Sequence, residues 1–198
     1  MGIYRSFISR VAAALLRARG VSVGPDLIAY GLPRVARTPG SAIELGRHVV
    51  LCSACAGNPL GVYHPVILST LRPGSRIRIG SHSGLSGASI CAASLISIGD
   101  SCLIGANVTI TDYDFHSLNP AGRRYNTNPD EIGCVPVIIE DNVWIGMNAI
   151  VLKGVTIGRN SVIAAGSIVS RSIPPDCVAG GNPARIIKPL PQSIKETE

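Results

Sequence analysis

The residue of this 198-residue chain best fitted to move a proton is the histidine that ends Asp112-Tyr113-Asp114-Phe115-His116. A carboxylate that accepts from one imidazole nitrogen fixes the tautomer and raises the basicity of the other. With an ordinary pKa of about 6.5, such an imidazole can take the proton of an alcohol as that alcohol attacks. Asp112 and Asp114 both lie close enough in sequence to serve, and Asp114 is the candidate named with His116. The other histidines, His48, His64 and His82, lack a polar constellation and read as surface or turn residues.

Two further groups of residues suggest binding. Trp144 is the only tryptophan, and it could wall a groove or pack against a neighbouring subunit. Arg171, Arg185 and Lys188 gather near the end of the chain with Gly180, Gly181 and Pro183 between them, as a solvated basic tail or a clamp for phosphate. Of six cysteines only Cys52 and Cys55 form a CxxC, and no second pair has metal-site spacing. Zinc is therefore not expected, and buried free thiols are.

The element that must position these residues is a repeat. From Ile139 to Pro174 the chain divides into sixes whose first position is Ile139, Ile145, Val151, Ile157, Ile163 and Val169. The fifth position is Val143, Ala149, Val155, Ser161, Ser167 and Ile173, mostly small. A period of six keeps step with neither an α-helical face nor a simple alternating strand, and hexad repeats build parallel β-helices. Three hexads make one triangular coil, with the first-position aliphatic turned inward. Such a prism has no room for chemistry inside, so function belongs on its outside or where prisms meet.

Imperfect hexads begin at Val23, with fragments at 43–48 and 77–80 and an expected excursion from Cys52 to Pro65. The register is clean from Ile98 to Ile110, breaks over the polar, Asn- and Pro-rich stretch 112–136, and resumes. A loop of that length in a compact domain is functional or disordered, and the histidine at its base favours function. After Val169 the chain is expected to leave the repeat through Pro174 and Pro175.

Residues from Ile3 to Arg19 form a predicted helix with Tyr4, Phe7, Ile8, Val11 and Leu15 on one side and Arg5, Arg10, Arg17 and Arg19 elsewhere. It either caps the open end of the solenoid or rests weakly on an anionic membrane. The domain reading is thus a helical segment at 1–22, a β-helix at 23–188 and a tail at 189–198. A net charge of +6 favours an anionic partner, but the aromatic and basic clustering of a nucleic-acid reader is missing. The apolar run Val11 to Leu16 is far too short to span a bilayer, so a soluble, cytoplasmic protein is expected.

The hexads, the DYDFHSL segment, VWIG at 143–146, AGSIV at 165–169 and IPPDCVAGGNPARII at 173–187 together resemble the hexapeptide-repeat acyltransferases, in particular the galactoside, maltose and polysaccharide O-acetyltransferase branch. The resemblance implies an all-β fold, a left-handed parallel β-helix, assembled as a homotrimer with acetyl-CoA sites between prisms. It gives His116 the role of base and sets Trp144 beside the pantetheine arm. Ala165, Ser170, Arg171 and Arg185 would line the coenzyme groove, with Lys188 near its phosphates and Ser86 a weak acceptor contact. Tyr113 stands where relatives often carry a second histidine, and Met147 departs from a small polar residue. The acceptor implied is a hydroxyl of a sugar or glycan precursor. A serine or xenobiotic O-acetyltransferase of the same fold is the alternative enzyme, and a non-catalytic β-helix scaffold the alternative of another kind. No metal is required.

Overall fold

The computed structural model describes residues 2–191; the side chains of Ile3, Tyr4 and Arg5 and residues 192–198 lie outside the described residues. The first-position aliphatics Ile139, Ile145, Val151, Ile157, Ile163 and Val169 are all buried, and so are the fifth-position residues from Val143 to Ile173. Inward side chains at both positions fill a narrow three-sided core, and the result is a left-handed parallel β-helix.

Its first face stacks the strands Ser22–Val23, Ala42–Leu45, Arg76–Ile79, Leu95–Ile98, Val137–Ile139 and Thr156–Ile157. Its second face stacks Ile28–Tyr30, Val50–Cys52, Gly84–Ser86, Leu103–Ile104, Trp144–Ile145, Val162–Ile163 and Cys177–Gly181, closed by the antiparallel Ala184–Pro189. Its third face stacks Arg34–Ala36, Ile67–Thr70, Ser89–Ala92, Thr109–Thr111, Ile150–Val151 and Ile168–Val169.

The chain turns from the first face to the second through a ladder of left-handed residues. Asp26, His48, His82, Ser101, Asn142, Asn160 and Asp176 occupy it with φ of 54–62°. Short polar side chains tolerate that conformation best. The upper rungs are tied together, since Asn142 Nδ2 donates to Asn160 Oδ1 at 3.0 Å and Asn160 Nδ2 to Asp176 Oδ1 at 2.6 Å. The rings of His48 and His82 stack on the same ladder, 5.4 Å apart, which makes them turn residues as read. Asn160→Ala is expected to lower the unfolding free energy by about 1–2 kcal/mol, because it loses both bonds and strains the backbone. An unchanged thermal midpoint would remove the ladder from the stability account.

The N-terminal helix, Gly2–Ala18, buries Ala12 and Leu16 in the core, and Ser9 Oγ accepts from the Ala29 amide of the first coil at 3.0 Å. It covers the exposed edge strands of that coil, as the capping alternative requires. The other end differs from expectation. The repeat does not stop at Pro174, because Ile173 bridges to Ile157 and Cys177–Gly181 adds another strand to the second face. The two prolines simply occupy the turn between them. The final strand reaches Pro189, and the Leu190 amide donates to Asp176 O at 2.8 Å, so the tail expected from 189 is tied to the prism at its start.

Candidate active site

The long excursion leaves the third face after Thr111 and returns to the first at Val137. Its stem is a short antiparallel pair. Asp114 N donates to Gly133 O at 3.0 Å, Val135 N to Asp112 O at 3.0 Å, and Tyr113 bridges to Cys134.

Asp112, fully buried, fastens this stem to the coil below by accepting from the Ala93 and Ser94 amides, both at 2.7 Å. It is an anchor, with both oxygens committed to backbone amides. Asp114 is committed as well: its Oδ1 accepts from Lys153 Nζ at 2.7 Å, in the only ion pair of the loop stem among the described residues. The expected Asp114–His116 hydrogen bond is absent: Lys153 takes Oδ1, and Oδ2 is buried without a partner. Arg72 stacks its guanidinium over the Tyr113 ring at 4.6 Å, and Tyr113 meets Phe115 edge to face. Held by these contacts, the stem ends in an exposed His116 that no described residue hydrogen-bonds.

Lys153 and Arg72 were not identified from sequence. The signal for Lys153 is register: Ile110 pairs with Val151, so Lys153 follows its strand as Asp112 follows the strand below. Arg72 carries no such mark beyond lying in a turn of the same edge two coils earlier.

Trp144 lies elsewhere, at the start of a second-face strand and 53% exposed. It belongs to an outward row in which Leu103, Trp144, Val162, Val178 and Lys188 pair in succession. Lys188 is thus three strands from Trp144, about 14 Å at ordinary strand spacing. Ala165 adjoins the same strand, since a methyl group on Gly146 would stand 2.5 Å from the Ala165 nitrogen. Arg185, exposed, pairs with Gly180 on the closing hairpin. Ser170 and Arg171 follow the third-face strand Ile168–Val169 and so share the edge of the His116 stem and Lys153. Ser86 ends a second-face strand, with its carbonyl accepting from Asn107, remote from that edge. Ser86 apart, the residues predicted from sequence fall into two sets on one chain: Asp114, His116, Ser170 and Arg171 on one edge, and Trp144, Ala165, Arg185 and Lys188 on and beside the second face.

All six cysteines are free, but Cys55 is exposed, so buried thiols describe only part of the set. Cys91 and Cys134 adjoin the stem. Burial, reinforced by the Asp112 charge, pushes the Cys91 thiol up to about 11. Burial also raises Cys134, with Asp112 adding to it. Neutral thiols are poor nucleophiles, so neither suits a covalent acyl intermediate.

Comparison with known proteins agrees with this architecture. The family model "Hexapeptide repeat of succinyl-transferase" matches residues 74–112 and 136–171. Galactoside O-acetyltransferase of Escherichia coli is 44% identical over 98 residues, 48% of this chain and 44% of that protein. The chain therefore spans less than half the length of this curated relative. Among solved structures, a hexapeptide-repeat containing acetyltransferase from Vibrio cholerae is 30% identical with a TM-score of 0.57, covering 94% of this chain and 90% of that one. A galactoside acetyltransferase in complex with coenzyme A is 30% identical with a TM-score of 0.56, over 86% and 65% of the two chains. With its stacked hexads, the broken register at 112–136 and kinship running over nearly the whole chain, this protein belongs to the hexapeptide-repeat acetyltransferase family.

Proposed function

We propose that this protein transfers an acetyl group from acetyl-CoA to a hydroxyl of a sugar or glycan acceptor, in sites built between the prisms of a homotrimer. One observation carries the reading: the two sets of residues lie on different parts of one chain, so a site that uses both would have to be built across two chains. Where the edge bearing His116 and Arg171 meets the second face of a neighbour, the imidazole comes to stand opposite the Trp144 row. A closed three-fold ring lets every chain offer its edge to one partner and its face to another. The coenzyme arm would lie along the apolar row from Trp144, and Arg171, Arg185 and Lys188 are the cations for its phosphates. The coenzyme-bound neighbour of 30% identity supports that co-substrate.

Within such a site His116 takes the proton of the acceptor hydroxyl as its oxygen bonds to the thioester carbonyl carbon. The carbonyl π electrons move onto oxygen, giving a tetrahedral oxyanion. When these electrons return, the carbon–sulfur bond breaks and the imidazolium returns its proton to the departing thiolate. Direct transfer of this kind needs no protein nucleophile, in keeping with the neutral thiols beside the stem.

Light scattering combined with thiol release from acetyl-CoA tests the proposal. The expected result is three times the chain mass and thiol release that depends on an added galactoside or oligosaccharide. A monomer with full activity would refute shared sites, and a trimer that releases no thiol with any hydroxyl acceptor would favour a scaffold.

A further inference from the structure

Charge is unevenly divided along the chain. Residues 1–80 contain ten arginines, no lysine and two carboxylates, whereas the rest holds eight basic and ten acidic residues. The fold concentrates the surplus at one end, where the helix lies over the first coil. Arg10, Arg17, Arg19 and Arg34 are exposed there, and none has an ion pair among the described residues. Arg17 and Arg19 do donate to the carbonyls of Val23 and Val35, at 3.1 and 3.0 Å, which fixes their direction without neutralising them.

The same end exposes apolar side chains that capping does not use. Ala12 and Leu16 face the core, but Phe7 is 63% exposed, and Leu15 and Leu32 are both 45% exposed. Leu15, Leu32 and Pro33 line one groove beside the helix together with Arg19 and Arg34. On the other flank a groove of about 640 Å³ is lined by Ser6, Arg10 and Arg17, with Asp26 as its one carboxylate. Apolar side chains ringed by uncompensated guanidinium groups suit a phospholipid surface, where the apolar groups enter the interface and the cations meet phosphate. A nucleic acid would meet the charge but has no use for exposed Leu15 and Leu32. No described helix is long and apolar enough to cross a membrane, so the contact is one of surface.

We infer that the N-terminal end of the prism docks on an anionic phospholipid membrane, with Phe7, Leu15 and Leu32 entering the headgroup layer and Arg10, Arg17, Arg19 and Arg34 meeting lipid phosphates. The docking surface is wider than the helix, because the first coil supplies Leu32 and Arg34. It rests on the trimer proposed above only for avidity, since three-fold symmetry would present three such ends on one side.

Flotation of the full chain with lipid vesicles tests this. Vesicles of phosphatidylcholine and phosphatidylglycerol in roughly equal parts should carry the protein upward, phosphatidylcholine alone should not, and roughly 0.5 M salt should release it. Arg10→Glu with Arg34→Glu should weaken partition by about 20-fold or more, given roughly fivefold per charge removed, and Phe7→Asp should also weaken it. All these positions are exposed, so the thermal midpoint and thiol release from acetyl-CoA should stay as in the parent chain. Equal flotation with neutral vesicles, no flotation with anionic ones, or undiminished flotation of the charge-reversed variant overturns the inference. So would retention on heparin without flotation, which would identify a soluble polyanion as the partner. A chain that floats as expected but transfers no acetyl group leaves this inference standing and removes the catalytic one.

Discussion

His116→Ala is expected to lower turnover by about 10²-fold or more while leaving affinity for acetyl-CoA nearly unchanged. The loss follows from removing the group that takes the hydroxyl proton. Coenzyme affinity survives because the cations and the apolar row proposed to hold it belong to other strands. His116 is exposed at the end of a stem fixed by Asp112, Asp114 and Tyr113, so its replacement leaves those contacts in place. The measurement is steady-state thiol release alongside a coenzyme titration. Near-normal turnover would reject the base, and a parallel loss of coenzyme affinity would mean the ring binds instead of catalysing.

The second large effect concerns a residue that touches no substrate. Asp112→Ala should destabilise the fold by about 2–5 kcal/mol, because each buried donor left unmet costs roughly 1–3 kcal/mol. Both Ala93 and Ser94 lose their acceptor at 2.7 Å, and the stem loses its link to the coil beneath. Asp112→Asn should recover part of this, since its amide oxygen can accept one of the two bonds while its NH₂ group faces the other donor. Denaturant unfolding reads the stability, and turnover should fall with it as the stem loosens. Wild-type stability in Asp112→Ala would show that the coil, not the carboxylate, holds the loop.

The prism was legible because its rule is local and repeated. Ile145, Val151 and Ile157 recur at a spacing that only a three-sided coil can satisfy, and every one is buried. The excursion at 112–136 was legible for the same reason, as a break in an otherwise regular count. What sequence could not resolve was competition between partners. Asp114 stands two residues from His116, yet it pairs with Lys153, 39 positions away, because stacking brings the two turns together. Nor could proximity in the chain show that His116 and Trp144 lie on different parts of the prism, since that depends on counting faces through the strands between them. The end of the repeat was misjudged because Pro174 and Pro175 look like a stop when read alone. In a turn that needs no amide donor they interrupt nothing.

The helix laid across the first coil has a consequence for self-association. A parallel β-helix whose first rung is bare offers unpaired amides and carbonyls in the register a second molecule would need. Left unplugged, such ends would join head to tail without closure, and the product would be a growing filament. By occupying that rung the helix acts as a chain terminator for polymerisation, and shortening it risks fibres as well as lost stability.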